Sequence, residues 1–307
     1  LEFRRVLFRS GNAYMDATTY SGTGAVQSIT NSGSMQPDFV WIKERNIANS
    51  HRLYDAVRGV YAYLASDSTG AEASNSTTLT AFNSNGFALG TDNTNTVNYS
   101  AGTYVGWQWK ANGSGSSNTS GSITSTVSAN TTAGFSVVTY TGNGTAGANV
   151  GHGLGVTPAM IIVKRRDGGT NSWNVQHQSV NYNSVLFLNS TDAATVATSF
   201  NSAGPTSTVF YLGNTDGTNG SGGTKTYVAY CWTAIPGFSA FGSYTGNGSA
   251  DGPFVYTGFR PRYVLTKRTD STGSWFITDT SRTLYNASTT NILFPDSSIR
   301  SEEHTSE

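Results

Sequence analysis

The sequence predicts an all-β fold, built as tandem antiparallel β-sandwich repeats of the jelly-roll or lectin-like kind. Three observations carry that reading. Short apolar runs rich in Val, Ile, Phe, Tyr and Trp recur at close intervals, bounded by Gly, Asn, Ser and Thr, which is strand-and-turn chemistry rather than helix periodicity. One stretch occurs three times, as QPDFVWIKER (Pro37, Lys43), GLGVTPAMIIVKRR (Pro158, Lys164) and FRPRYVLTKR (Pro261, Lys267), with the proline always six residues ahead of the lysine. A Tyr-glycine turn precedes these prolines by 17, 18 and 17 residues, as YSGTG from Tyr20 and YTGNG from Tyr140 and Tyr244. Self-similarity of this kind has to be settled before any other fold reading.

In chain order, repeat 1 is expected over residues 11–112, starting with the remnant of an entry strand at 11–20 and the turn at Tyr20. Phe39 to Ile42 is four apolar residues in a row, too short for a helix and read as a strand buried on both faces. Leu53 to Leu64 has the best helical content, but its counterparts WNVQHQSV and WFITDTSR alternate, so a strand and short turn are expected. Phe82 to Leu89 holds an Asn-Gly pair between apolar residues, a hairpin signal. Tyr104 to Trp109 (YVGWQW) closes the unit. Residues 113–122, rich in Gly, Ser and Asn, read as a flexible linker.

Repeat 2 is expected over 123–237, with strands at Ile123 to Val127, Phe135 to Tyr140, Met160 to Val163, Trp173 to His177, Val185 to Leu188, Val209 to Leu212 and Tyr227 to Trp232. Repeat 3, over 238–299, is expected at Phe254 to Tyr256, Tyr263 to Thr266, Trp275 to Thr278 and Ile292 to Phe294. It has no closing strand like YVGWQW or YVAYCW, because the sequence stops first.

The two ends are expected to be artefacts. RSEEHTSE (300–307) can be encoded so that its reverse complement reads FRRVLFRS, which is Phe3 to Ser10, and the pair resembles a translated sequencing adapter. Residues 1–10 and 300–307 are therefore set aside as one would a scar, and residues 11–299 are expected to be an internal fragment of a longer protein.

Composition excludes several classes. The formal net charge is +0 with only 12% charged residues, so no field exists to steer nucleic acid or an acidic membrane surface. No apolar run is long enough to span a membrane as a helix. Cys231 is the single cysteine; set between aromatic residues in YVAYCW, it reads as a buried hydrophobe rather than a nucleophile.

Each cluster that suggests chemistry has a plainer reading. Gly151-His152-Gly153-Leu154-Gly155 resembles a phosphate loop, but a strand rather than a helix follows. Asp55 with Arg58, and Asp279 with Arg282, share a spacing that becomes His177 and Val180 in repeat 2, so a structural pair is favoured over a catalytic acid. Asp92-Asn93-Thr94-Asn95 and Asn214-Thr215-Asp216 offer oxygens to calcium, yet Asx-rich loops more often cap their own backbone. No cofactor, metal or catalytic set is expected.

Possible ligand contacts are Lys164, Arg166 and Lys267, as part of a row of basic sites for glycan carboxylates or phosphates. The plainer alternative puts these charges at strand ends in solvent or paired with Asp55, Asp167 or Asp279. Trp107, Trp109 and Trp232 sit in repeated strand positions and are expected in the core. Trp173 and Trp275 follow polar turns and are the better candidates for exposed sugar-stacking platforms.

Taken together, the Tyr-Thr-Gly turn, GHGLGVTP, the strand ending in Lys-Arg, the Trp-containing strand, the Asn-Gly hairpin and the YVAYCW or YVGWQW closing strand resemble tandem repeat domains of uncharacterised bacteriophage virion proteins of the tail and tail-fibre type. The resemblance implies a non-enzymatic virion or extracellular protein, with other virion subunits or a host-surface glycan or receptor as partners, and a possible homo-oligomer. The alternative is a secreted carbohydrate-binding module or glycan-processing enzyme.

Overall fold

A computed structural model describes residues 10–283 and 291–301. Residues 1–9 and 302–307, most of the two ends expected to be artefacts, lie outside the described residues. The described chain is all-β, with antiparallel sheets throughout.

The first segment contributes β1 (Met15–Ser21), β2 (Gln27–Thr30), β3 (Phe39–Glu44), β4 (Arg52–Asp55), β5 (Gly59–Leu64), β6 (Ala73–Ser74), β7 (Leu79–Asn83), β8 (Gly86–Leu89) and β9 (Thr103–Trp109). Its main sheet runs β1-β9-β3-β4-β5-β6, and a small outer sheet runs β2-β8-β7. The second segment contributes β10 (Ser116–Asn118), β11 (Ser125–Asn130), β12 (Phe135–Thr141), β13 (Asn149–Gly151), β14 (Met160–Arg165), β15 (Asn174–His177), β16 (Ser184–Phe187), β17 (Thr195–Val196), β18 (Val209–Tyr211) and β19 (Thr226–Trp232). Its main sheet runs β10-β11-β12-β19-β14-β15-β16-β17, with β13-β18 outside. The third segment holds the hairpin β20 (Tyr263–Lys267) and β21 (Trp275–Asp279).

The order β1-β9-β3-β4-β5 is matched by β12-β19-β14-β15-β16, and the registers agree. Phe39 lies opposite Trp109 as Met160 lies opposite Trp232, and Trp41 opposite Trp107 as Ile162 opposite Tyr230. The closing strand is therefore central in each sheet, holding β1 or β12 on one edge and β3 or β14 on the other.

Strand pleat explains why the middle strands read as unbroken apolar runs. Successive side chains point to opposite faces, and here both faces are covered. Val40 and Ile42 face the first segment's own sandwich core with Ile29, Tyr54, Phe87, Leu89 and Tyr104. Phe39 and Trp41 face the other way, into a core shared with Phe135, Ile162, Tyr230 and Trp232 of the second segment and with Trp275, Ile277 and Leu293 of the third. Ile161 and Val163 fill the second sandwich with Val138, Phe210 and Cys231. Three sheets thus pack back to back on one aromatic centre. At about 1.5–3 kcal/mol for each large side chain removed from water, that centre is a principal source of cohesion.

Some expectations are corrected. Residues 113–122 do not form a free linker: β10 lies inside them and pairs with β11 as the edge of the second sheet. The hairpin near Asn85 forms, but its two-residue loop is Ser84-Asn85 and Gly86 opens β8. That glycine is needed because a Cβ there would meet the carbonyl oxygen of Ile29 on β2. Residues 254–256, expected as a strand, lie outside any strand, with Phe254 90% and Tyr256 82% exposed. Of Ile292 to Phe294, only Leu293 pairs, through an isolated bridge to Ile277.

Candidate functional site: the contacts between segments

The recurring turn is built around tyrosine. Tyr20 stacks on Tyr104 with ring centroids 5.0 Å apart, and Tyr140 stacks on Tyr227 at 5.1 Å. In each pair the first hydroxyl donates to a carbonyl, Val97 at 2.9 Å or Thr218 at 2.7 Å. A fully buried asparagine then closes the turn. Asn98 donates to the carbonyls of Ala25 and Gly90 and accepts from the Thr23 N–H. Asn219 donates to the carbonyls of Thr145 and Gly213 and accepts from the Asn143 and Gly144 N–H groups. Sequence reasoning missed both asparagines, whose only signal is that each lies shortly ahead of a closing strand.

The lysines near the ends of β3, β14 and β20 bond to backbone carbonyls; Lys43 and Lys164 are shut off from solvent, whereas Lys267 is partly exposed. Lys43 and Lys164 are buried. The Lys43 ammonium donates to the carbonyls of Glu44 at 2.7 Å and Ser298 at 3.2 Å. Lys164 reaches those of Asn171 at 2.6 Å and Thr69 at 2.8 Å. Lys267 does the same with Arg268 at 2.7 Å and Thr191 at 3.2 Å. One carbonyl in each case belongs to a neighbouring segment. Burial lowers the pKa of Lys43 and Lys164 to about 8.

Trp173 and Trp275 are also misplaced by the sequence. They are 0% and 4% exposed, so neither is available to stack on a sugar. The Trp173 indole N–H donates to the Ala65 carbonyl of the first segment at 2.9 Å, and that of Trp275 to the Phe187 carbonyl of the second at 2.8 Å. The matching place in the first segment is held by His51. Its Nδ1 accepts from the Trp41 indole at 2.8 Å, so Nε2 carries the proton and donates to the Phe294 carbonyl of the third segment at 2.9 Å. Burial holds the His51 pKa well below the usual imidazole value, consistent with a neutral ring in this role. Arg166, half-buried, pairs with Glu72 of the first segment at 2.9 Å. Every one of the five candidate contact residues thus makes a contact between segments; Trp173, Trp275 and Lys164 are buried in doing so, while Arg166 also lines a shallow groove with Thr126, Thr139 and Thr226.

The contacts run in one sense. Second to first, third to second and first to third, a ring N–H and a lysine reach the backbone of the next segment. The contacts thus return to the first segment after three steps. The Asp-Arg pairs lie on the same interfaces. Arg58 pairs with Asp55, whose carboxylate accepts from the Tyr230 hydroxyl of the second segment at 2.8 Å. Arg282 pairs with Asp279 at 2.7 Å, and Asp279 accepts from the Trp107 indole of the first segment at 2.9 Å. Tyr230 and Trp107 hold the same position in their strands. The third such interface has His177 in place of the aspartate, set against Phe241.

Other candidates resolve into scaffold. His152 is buried; it contacts the Thr206 carbonyl and accepts from the Leu154 N–H, within a turn that holds Gly153 and Gly155 at positive φ. Asp92 accepts from the N–H groups of Thr94, Thr96, Val97 and Asn98, which is the self-capping Asx role. Asp216 pairs with Lys225 at 2.6 Å. Cys231 is fully buried, and desolvation pushes its thiol up to about 12, far from a thiolate nucleophile. A shallow groove of about 350 Å³ is lined by Asp16, Thr18, Asn31 and Arg262 among others, with Arg262 paired to Asp16 at 2.6 Å. Among the described residues, no group of three or more His, Cys, Asp or Glu is placed to hold a metal, and no helix is long and apolar enough to cross a membrane.

Residues 10–307 match the model of a family described as a domain of unknown function, DUF7483, and the chain belongs to that family. No curated protein and no solved structure is significantly similar to it.

Proposed function

We propose that this DUF7483 member is a non-enzymatic structural and adhesive module of a phage virion, tail or tail-fibre associated, acting outside the cell. In this reading three copies of one sandwich unit close into a ring, and the loops around it meet neighbouring subunits or a host-surface glycan or receptor. The observation that carries it is the use made of the ionisable residues that recur along the chain. Lys43, Lys164 and Lys267, with the arginine-held carboxylates Asp55 and Asp279, bind one segment to the next. A glycosidase site of the usual kind needs two carboxylates facing one cleft, whereas Asp55 and Asp279 are held by arginines and aromatic donors inside the interfaces. The neutral surface rich in Ser, Thr and Asn suits contact chemistry based on hydrogen bonds and shape.

Two measurements test this. Adjoining reading frames in the source DNA should encode capsid or tail proteins; metabolic genes on both sides would count against a virion. The purified chain on a glycan array, alongside a panel of chromogenic glycosides, should release no chromophore. Turnover that disappears when one carboxylate is substituted would replace this reading with the enzymatic one.

A further inference from the structure

We infer that the first segment carries a binding site for an acidic glycan, a pyranose bearing a carboxylate, on the open face of β5 and β6. The inference rests on the adhesive reading and names the ligand class which that reading leaves open. β5 and β6 form one edge of the first main sheet. Tyr61 and Tyr63 are two residues apart on β5, which places both on one face of the strand. Tyr61 is 44% exposed, and its backbone is fixed by the Asn75 N–H, which donates to the Tyr61 carbonyl at 2.9 Å. Tyr63 lies at the rim of the sandwich core, and the Arg52 guanidinium from β4 covers its ring at 4.6 Å from the centroid.

Each part has a chemistry that a sugar acid would use. An exposed aromatic ring on a rigid strand takes the C–H face of a pyranose. Among the described residues no carboxylate pairs with Arg52, and its Nη1 makes only a long bond to the His51 carbonyl at 3.4 Å. A planar cation in that state matches a carboxylate through two parallel bonds. Beside Tyr61, Asn75 donates to the Asn93 side-chain oxygen at 3.0 Å, and Asn93 is itself exposed, so its Nδ2 offers donors to sugar hydroxyls. The adjoining carboxylates do not oppose an anion. Glu72, just ahead of β6, is held by Arg58 and Arg166 at 2.9 Å each. Asp92 is buried against the N–H groups of its own loop.

The second segment serves as an internal control, because its register here is the same. Ala62 lies opposite Ser74 and Tyr63 opposite Ala73, as Ser184 lies opposite Val196 and Val185 opposite Thr195. Arg52 lies opposite Ile42 as Asn174 lies opposite Val163. Tyr61, Tyr63 and Arg52 therefore correspond to Asn183, Val185 and Asn174. Val185 and Asn174 are buried, the latter accepting from the Ser199 hydroxyl at 2.9 Å. Positions that only build the sandwich keep their character between segments, as Leu64 and Leu186 do. The exposed ring and the guanidinium are thus additions that the shared scaffold does not require.

The test titrates the isotopically labelled full chain with trigalacturonic acid and sialyllactose, and with the methyl ester of the first and lactose as uncharged matches. At least one acidic probe should bind saturably, with a Kd below about 1 mM and amide shifts centred on Arg52, Tyr61, Tyr63 and Asn75. Its uncharged match should bind about tenfold more weakly or worse. Tyr61→Ala should weaken binding about tenfold or more without moving the thermal midpoint, and Arg52→Gln should abolish the preference for the acid. Tyr256→Ala, which removes another exposed ring, should bind like the unaltered chain. No binding of either acidic probe at about 10 mM, equal affinity for charged and uncharged probes, or undiminished binding by Tyr61→Ala would overturn the inference. Glycan binding that persists in Tyr61→Ala and Arg52→Gln would remove this site and leave the adhesive reading standing, whereas hydrolysis of a probe would remove that reading itself.

Discussion

Tyr140 and Tyr244 each begin the same five residues, YTGNG, and the two turns end in opposite states. Tyr140 is buried, stacked on Tyr227 and bonded to Thr218; Tyr244 is mostly exposed and lies outside any strand. The five residues do not contain their own structure. They acquire it from the closing strand, which supplies the stacking ring, and from Asn219 ahead of that strand, which satisfies the turn's backbone groups. A turn whose polar backbone is not satisfied internally stays with water.

The sharpest test of this contrast is proteolysis. Under limiting protease, cleavage in residues 240–260 should precede cleavage around residues 140–155 by a wide margin, because exposed and unpaired backbone is cut first; equal resistance by mass spectrometry would erase the distinction. Next comes a matched pair of substitutions. Tyr140→Ala should cost about 3–5 kcal/mol, as for other buried aromatics, while Tyr244→Ala should stay within about 0.5 kcal/mol. Urea midpoints compare them, and similar losses would show that the third turn is packed after all. Asn219→Ala should cost about 2–3 kcal/mol, since it leaves buried N–H and carbonyl groups without partners. Its amide exchange should then resemble that of the third segment.

The smallest expected effect is a pH dependence. Lys164 has a native pKa of about 8, and an unfolded lysine titrates near about 10.4. Between those values the unfolded chain binds the extra proton, so stability rises with pH. The rise should be absent or reduced in Lys164→Met, measured as the difference in urea midpoint between about pH 8 and pH 10. An unchanged slope in the variant would remove Lys164 as its source.

Local chemistry made the strands legible. Phe135 to Tyr140 was expected and Phe135–Thr141 is found; Tyr227 to Trp232 was expected and Thr226–Trp232 is found. Burial on both faces of Phe39 to Ile42 was also readable, because only a strand covered twice tolerates four apolar residues in succession. The roles of the polar residues were not. Lys43 finds its carbonyl at Ser298, and Trp173 finds its own at Ala65. A lysine at a strand end and a tryptophan after a polar turn look like surface residues until the distant backbone is brought against them. Asn98 and Asn219 were hidden for a further reason: in a chain this rich in asparagine, neither stands out from its loop.

The contact that passes from Trp173 to Ala65, from Trp275 to Phe187 and from His51 to Phe294 also limits how such a chain could lengthen. Stacked arrays such as solenoids extend one unit at a time along an open axis. A contact that returns to its origin after three steps leaves no place for a fourth unit in the same circle.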